Sequence, residues 1–527
     1  MNRRLVAGIL GRVVLFFTAS ATPALAMACF EVPAGGIDAR AGFLWMLAIG
    51  GAGGTSLLWV GRGARAEIYR RESLLVVALT WLVAGVLGAI PFLASGALPR
   101  MADAIFECVS GLTTCGASVF GAPDGRAVHE LPQSLLLWRS AIQWVGGLGI
   151  ILMFVVLLPA LGIAPFTLLE SEQVGVSDPR MRPQMLRHGR HLFLTYLVLT
   201  LAQIVLLWLA GGMPLFESMC HAMTTMPTGG FSTRDYSIAE YQSVTVDVIV
   251  IVFMVLAASN FLLLRDAIVE GGAGWTRLWR DPELRGFLRI LGSAILVATV
   301  ILWTWGGVVP GPEVVGGARD YSLLGTCLRD AAFNLTSVMT CTGFATANFN
   351  CWPTPIVLMV VLLMFIGGCT GSTSGGIKVV RALVVWRVCM NRLRAFVRPR
   401  AVELVKLEEQ VFDSREVASL LAIVAVFGLA VGLGGLALSF DPRLDLLSAM
   451  SACVTSISCA GPGVTAVVAH GAEFTIANPG GIDVGPFGSF GLLHDGSKLL
   501  LALLMVLGRL EFLALLVLVM PSFWRRR

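Results

Sequence analysis

Four short stretches centred on glycine decide how this sequence is organised: TTCGAS at 113–118, PTGGFS at 227–232, TCTGFA at 340–345 and SCAGPG at 458–463. Aligned on one glycine each, they recur at intervals of 114, 113 and 118 residues. Six positions before the glycine every copy has a hydroxyl, and thirteen positions before it three copies have an acid. These residues are Ser110, Thr224, Ser337 and Thr455, then Asp103, Glu217 and Asp330, with Ser448 in the fourth copy. The agreement predicts a fourfold structural repeat.

Each stretch lies between two apolar segments of the length of a membrane helix. The pairs are 73–96 and 134–160, 191–211 and 244–264, 288–309 and 354–388, and 416–438 and 497–520. A leading pair precedes residue 73, which gives about ten crossings. The stretches between the paired segments are too short to span about 30 Å of hydrocarbon twice as helix. They are therefore predicted to be re-entrant loops.

The composition supports a polytopic membrane protein. Of 527 residues, 56% are apolar and 13% charged, against roughly a quarter charged in soluble proteins. This excludes a soluble enzyme. A net charge of +5, with no basic run interleaved with aromatic residues, gives no sign of a nucleic-acid partner. Eleven cysteines without a CxxC pair and six histidines without ligand spacing indicate neither a disulfide framework nor a zinc site. Most of the cysteines are expected in the core.

The first 26 residues allow two interpretations. A basic start, an apolar run and the small residues before Ala26 resemble a cleaved signal peptide. A second apolar stretch at about 41–60 favours a retained helix, because two spans return the chain to its starting side.

Basic residues predict the orientation. They concentrate at 62–71, 180–190, 277–289, 392–406 and 525–527. By the positive-inside rule these segments are cytoplasmic, so both termini are expected in the cytoplasm and the four loops open to the outside.

The repeated unit suits a cation. An acid in the first turn of a short helix complements its dipole, and the negative end of that helix points toward the glycine. Four such ends around one axis favour a cation, and backbone carbonyls could replace its hydration shell. The four stretches contain no carboxylate, which indicates a monovalent ion. The alternative is that the glycines are ordinary helix breaks or packing positions.

A second glycine-rich run, GGCTGSTSGG at 367–376, interrupts an apolar segment. Non-helical backbone at membrane depth is tolerated only where it lines a cavity or packs against protein. Arg509 lies near the middle of the last span, where an arginine is a functional candidate. The alternative interpretation is that Arg509 has a structural role and pairs with Glu511 or with a loop carbonyl. Lys378 could simply face the cytoplasm.

At these residues the sequence resembles the TrkH-type membrane subunits of bacterial potassium uptake systems. The resemblance covers nearly the whole chain and rests on QWVGGLGII at 143–151, HAMTTMPTGGFSTRD at 221–235, FIGGCTGSTSGGIKVVR at 365–381, RPRAV at 398–402, GPGV at 461–464 and GRLE at 508–511. It implies a potassium-selective filter of Thr114, Cys115, Gly116, Thr228, Gly229, Gly230, Cys341, Thr342, Gly343, Cys459, Ala460 and Gly461. The cysteines depart from the hydroxyl or amide residues usual in the family, which bears on selectivity. The segment 466–498 is longer than usual.

The resemblance also implies a gate below the filter, formed by the intramembrane loop 367–376 and two basic residues. The gate residues are Gly367, Gly368, Gly371, Gly375, Gly376, Lys378 and Arg509. The implied partners are a TrkA-type cytoplasmic nucleotide-binding regulatory subunit, a second copy of the chain in a homodimer, and the lipid bilayer of the bacterial inner membrane. No cofactor is expected, and potassium is the substrate.

The predicted fold is an all-α polytopic membrane protein with two leading transmembrane helices and four span, pore-loop, span repeats around one ion pathway. The units are 1–72 for the leading pair, 73–165, 166–265 and 266–390 for repeats one to three, and 391–527 for repeat four with the C-terminus. The alternatives are an ion-coupled or poorly selective sodium and potassium symporter of this fold, and a pump subunit similar to that of the Kdp ATPase. An alternating-access transporter would favour inverted repeats, whereas these repeats run in one direction.

Overall fold

The computed structural model describes the chain except residues 1, 34–35, 65–69, 122–125, 161–180, 310–313, 315, 399–404, 408–409, 471–472 and 525–527. The predicted boundary at 165 and the basic residues Arg65, Arg180 and Arg400 and 525–527 lie outside the described residues. The described part is mainly helical, with three short antiparallel hairpins.

The leading helices are α1 (Arg3–Ala19), α2 (Thr22–Ala28) and α3 (Ala39–Val60). Repeat one contains α4 (Arg70–Ala94), α5 (Met101–Leu112) and α6 (Gln133–Ala160). Repeat two contains α7 (Met181–Leu209), α8 (Leu215–Thr225), α9 (Val244–Ala257) and α10 (Phe261–Glu270), followed by α11 (Gly272–Arg280).

Repeat three contains α12 (Pro282–Trp305), α13 (Leu324–Met339), α14 (Thr354–Ile366) and α15 (Val379–Val397). Repeat four contains α16 (Ser414–Leu438), α17 (Leu446–Ser458), α18 (Asp495–Arg509), α19 (Leu513–Val519) and α20 (Pro521–Trp524). The hairpins are β1 (Val308–Val309) with β2 (Arg319–Asp320), β3 (Lys406–Leu407) with β4 (Gln410–Val411), and β5 (Val467–His470) with β6 (Glu473–Ile476). The last hairpin begins the long segment 466–498.

The order long helix, short helix, glycine loop, helix therefore occurs four times. We call the short helices α5, α8, α13 and α17 the pore helices, and the four glycine stretches that follow them the filter loops. All of residues 102–112 of α5 and 448–458 of α17 are buried, except the half-buried Ile105 and Met450. Several of these buried residues are Ser, Thr or Cys. The centre of the protein is thus built from short, polar helix ends, and the apolar helices surround it.

Among the described residues, six helices are long and apolar enough to cross a membrane, and one bent pair would make a seventh. They include both leading spans and the first span of every repeat. The expectation of continuous second spans at 244–264 and 497–520 is wrong. In repeat two, α9 and α10 meet at 107°, because Asn260 caps a new helix by accepting a hydrogen bond from Leu262 N (2.9 Å).

In repeat four, Glu511 (φ 51°) and Phe512 (φ 63°) are left-handed and separate α18 from α19. Such backbone costs roughly 1–2 kcal/mol in a residue other than glycine. No glycine or proline marks this break in the sequence.

Candidate ion pathway

All four filter loops have the same backbone conformation. In each, the glycine and the residue two before it are left-handed, a conformation that favours glycine. The pairs are Thr114 (φ 56°) and Gly116 (86°), Thr228 (55°) and Gly230 (74°), Cys341 (56°) and Gly343 (91°), and Cys459 (53°) and Gly461 (92°). The repeat found in the sequence is therefore a repeat of backbone geometry.

One hydrogen bond also recurs in every loop. The backbone N–H just before the glycine donates to the carbonyl six positions before the glycine, which ties the filter loop to its pore helix. The bonds run from Cys115 to Ser110 (2.8 Å), Gly229 to Thr224 (2.8 Å), Thr342 to Ser337 (2.8 Å) and Ala460 to Thr455 (2.9 Å). The sequence identified these four positions by their hydroxyls, but the shared bond uses their carbonyls.

Each filter glycine lies against the backbone of the next loop. A Cβ atom on it would meet the carbonyl oxygen of the residue before the next loop's glycine. The pairs, glycine first, are Gly116 with Gly229, Gly230 with Thr342, Gly343 with Ala460 and Gly461 with Cys115. In the first two pairs the atoms would overlap, and in the others they would be 2.8 and 3.1 Å apart. The contacts run from repeat one through four and back to one, so the loops form a closed ring.

A second tie, which the sequence reasoning missed, joins each pore helix to the far end of its filter loop. Polar residues nine or ten positions before the glycine make it, and that recurrence is a signal the sequence does contain. The contacts are Glu107 with Val119 N (3.0 Å), His221 Nε2 with Ser232 Oγ (3.1 Å), Asn334 with Thr346 N (3.2 Å) and Ser451 Oγ with Val464 N (2.9 Å). We call these four residues the clamp residues.

The clamp of repeat one is part of a buried ion pair. Arg139 Nε donates to Glu107 Oε1 (2.8 Å), and the two side chains are 3% and 0% exposed. Arg139 also donates to the carbonyl of Ser232 (2.9 Å) and lies 4.2 Å from the centre of the Phe231 ring. It therefore joins the filter loops of repeats one and two.

Gln143 is a further residue that the sequence reasoning did not select. Its Nε2 donates to the Gly229 carbonyl (2.7 Å) and its Oε1 accepts from Phe231 N (3.2 Å). Because both bonds go to the second filter loop, Gln143 fixes its position. The Gly229 carbonyl is engaged by this amide.

Nine of the eleven cysteines are buried, as expected. Cys115 Sγ contacts the Thr455 carbonyl (3.7 Å), and Cys459 Sγ contacts those of Ser456 and Met505 (both 3.6 Å). These two thiols are therefore directed at helix carbonyls, where they pack as small side chains.

The acids of the repeat have different roles. Asp103 and Glu217 lie in first turns as predicted, and pair with Lys498 and Arg234. The expectation is wrong for Asp330, because α13 begins at Leu324 and Asp330 lies mid-helix, where it accepts from Tyr321 Oη (3.1 Å). Asp445 caps α17 by accepting from Ser448 N (3.0 Å).

Asp235, which follows the second filter loop, joins repeats one and two. It accepts from Val128 N (2.6 Å) and forms a short contact with His129 Nδ1. The hydrogen bond to Asp235 raises the pKa of His129 above its ordinary value.

The intramembrane loop 367–376 lies against the inner ends of three pore helices. Thr373 Oγ1 donates to the Met226 carbonyl (2.9 Å), Ser374 Oγ to that of Thr340 (2.8 Å), and Gly376 N to that of Ser458 (3.0 Å). Those carbonyls end α8, α13 and α17, so the loop is directly beneath the filter ring. Gly367, Gly371 and Gly376 are left-handed (φ 74–75°), whereas Gly368 and Gly375 lie against the Ala258 and Ser458 carbonyls.

Arg509 holds the loop from the fourth repeat. Its Nη1 donates to the Thr373 carbonyl (2.7 Å), and its side chain is buried. The loop-carbonyl pairing considered from the sequence is therefore present, while Glu511 pairs with Arg381 (2.6 Å). The interpretation of Lys378 as a cytoplasm-facing lysine is wrong, since it is 4% exposed and donates to the Ser374 carbonyl.

This architecture defines a class: a helical protein with several membrane-spanning helices, in which four short helices are followed by glycine loops that close in a ring. The TrkH family model, described as a cation transport protein, matches residues 43–479. The chain belongs to this family, which consists of transporters and not of enzymes.

Individual relatives agree along the whole chain. The Trk system potassium uptake protein TrkH of Escherichia coli strain K12 is 32% identical over 529 residues, covering 100% of both chains. Its namesake from Vibrio parahaemolyticus is 34% identical over 466 residues, covering 88% of each. The crystal structure of the potassium transporter TrkH from Vibrio parahaemolyticus matches with a TM-score of 0.84 at 30% identity, covering 100% of both chains.

Proposed function

We propose that this protein takes up potassium across the bacterial inner membrane through the ring of filter loops. The single observation that carries the proposal is the closed ring of contacts between filter glycines and the next loop's carbonyls. A ring of backbone carbonyls at close quarters can replace the hydration shell of a monovalent cation. The names of the relatives, which are potassium uptake proteins, support potassium as the substrate.

In this proposal the twelve filter residues named from the sequence contribute mainly backbone. The thiols of Cys115 and Cys459 contact helix carbonyls and leave the loop backbone unchanged. These two cysteines are therefore compatible with potassium selectivity.

The intramembrane loop is the gate. It hydrogen-bonds the inner ends of three pore helices, and Arg509 adds a positive charge at the same place. A buried cation below the filter raises the energy of a permeating cation. A cytoplasmic nucleotide-binding subunit of the TrkA type would move this loop, and a homodimer with one pathway per subunit and cytoplasmic termini completes the assembly.

The substrate is tested by rubidium and sodium uptake into liposomes that contain only the purified protein. We expect rubidium flux well above sodium flux. Equal fluxes would contradict potassium selectivity and favour the poorly selective sodium and potassium transporter of the same fold.

The gate is tested in the same liposomes with Arg509→Ala and with a deletion within 370–375. Arg509→Ala removes one charged hydrogen bond to the loop, so flux should rise about tenfold or more. The deletion should raise it further. Unchanged or reduced flux in folded protein would contradict the gate.

A further inference from the structure

Glu283 is a buried carboxylate that neither the filter nor the gate accounts for. It lies in the first turn of α12 and is 9% exposed. Its Oε1 accepts three hydrogen bonds, from Thr370 N (2.8 Å), Thr370 Oγ1 (3.1 Å) and Val380 N (3.1 Å). One carboxylate oxygen thus binds the intramembrane loop and the start of the helix that follows it.

The start of α15 needs an acceptor from elsewhere. Its N-cap position is Lys378, which is left-handed (φ 81°) and makes no capping hydrogen bond with its side chain. The first N–H groups of a helix have no partner within the helix, and a carboxylate there also complements the dipole. Glu283 serves as this cap from a different helix.

On the filter side, Thr373 and Ser374 hold the loop through their hydroxyl groups, and Arg509 holds it through one hydrogen bond to the Thr373 carbonyl. Glu283 makes three hydrogen bonds through one carboxylate oxygen, two of them to the loop and one to the helix that follows it. A displacement of α12 relative to the loop therefore acts on three hydrogen bonds at once.

We propose that Glu283 is the latch of the gate: a positioning residue that holds the intramembrane loop closed by joining Thr370 and Val380 to the first turn of α12. This inference rests on the proposed role of the loop as the gate. Asp281 fixes that first turn by accepting from Leu284 N (2.7 Å). The α11–α12 junction therefore positions the latch.

The test compares Glu283→Ala with Asp413→Ala in the full-length protein in liposomes. Asp413 also caps a helix, α16, and its side chain accepts from Ser414 N (2.7 Å). Two quantities are measured without any partner: rubidium flux, and the rate at which a soluble maleimide modifies Cys369, mapped by mass spectrometry. Cys369 lies in the loop and is 1% exposed, so its modification reports loop release, which a general loss of stability would not produce selectively.

Glu283→Ala should raise flux and Cys369 modification together, by about tenfold to a hundredfold, because three hydrogen bonds to one carboxylate oxygen are lost. Asp413→Ala should change neither. Thr370→Val removes only the hydroxyl bond and should give a smaller rise in both. It also carries the test if Glu283→Ala does not fold.

Arg509→Ala separates the latch from the gate itself. If Arg509→Ala raises flux while Glu283→Ala and Thr370→Val leave flux and labelling unchanged, the latch is wrong and the gate stands. If none of the three raises flux, the gate proposal fails as well. A lower thermal stability of Glu283→Ala with no rise in Cys369 labelling would reduce Glu283 to a structural role and overturn the latch.

Discussion

The four filter loops share one backbone conformation, whereas the four helices that follow them all differ. Each filter loop has the same two left-handed positions and the same hydrogen bond to its pore helix. Below them, α6 is continuous, α9 and α10 meet at 107°, a long loop separates α14 from α15, and two left-handed residues separate α18 from α19.

The difference follows from the separate roles that the filter loops and the helices after them have in the proposed function. An ion that exchanges its hydration shell for carbonyls needs equivalent groups on every side, which constrains all four loops alike. A single loop is enough to obstruct a pathway from below. The helices that follow the filter loops need not be alike: repeat three contains the intramembrane loop, and repeat four contains Arg509, which donates to it.

The largest expected effect concerns the clamp residues, which are equivalent in position but not in charge. Glu107→Ala leaves Arg139 buried without its partner, which should cost about 3–5 kcal/mol of folding free energy. Ser451→Ala, its counterpart in repeat four, removes neutral hydrogen bonds and should cost only about 1–2 kcal/mol. Unfolding of both variants in detergent checks this. Equal losses would contradict a special role for the ion pair.

The symmetry of the filter is tested by Gly230→Ser. A side chain at this left-handed position would overlap the Thr342 carbonyl, and the combined strain should lower the ratio of rubidium to sodium flux about a hundredfold. Gly212→Ser is the control, because Gly212 is also left-handed (φ 68°) but has open space around it. A similar loss of selectivity in both variants would mean that backbone strain alone, and not the ring, is responsible.

The smallest expected effect concerns the exposed side chain of His129. The pKa of His129 is raised by Asp235, so the protonated pair stabilises the fold below about pH 6.5, the ordinary value for histidine, and this stabilisation is lost as the pH rises through the raised pKa. His129 is 60% exposed, and solvent screening keeps the gain below about 1 kcal/mol. His129→Gln should therefore lower the melting temperature slightly at about pH 5.5 and not at pH 9. A deficit that grows with pH would contradict this.

Much of the pathway could be predicted from the sequence because its geometry demands glycine. Left-handed backbone and close approach of neighbouring loops restrict the residue at Gly116, Gly230, Gly343 and Gly461, and this restriction is visible as a repeat. The intramembrane loop could be recognised in the sequence for the same reason, because its left-handed positions are occupied by glycine. The recurring hydroxyl residues six positions before each glycine do mark a shared hydrogen bond, but that bond goes to their backbone carbonyls and not to their hydroxyl groups.

The rest depends on contacts between distant parts of the chain. The roles of Gln143 and Glu283 arise from Gly229 and Thr370, far away in sequence. Gln143 begins the QWVGGLGII stretch, but that stretch alone does not show its partner. The break at Glu511 and Phe512 occurs at residues that are neither glycine nor proline, so only the folded environment reveals it. Local patterns therefore report backbone constraints, while the residues that position the loops have to be read from the fold.

The most direct test of the four-loop filter is anomalous diffraction from crystals of the protein grown in rubidium. We expect a peak on the axis between Gly116, Gly230, Gly343 and Gly461, absent from crystals grown in sodium alone and lost in Gly230→Ser. Rubidium bound only away from this ring, or a ring without any peak while the same protein transports rubidium, would contradict the account.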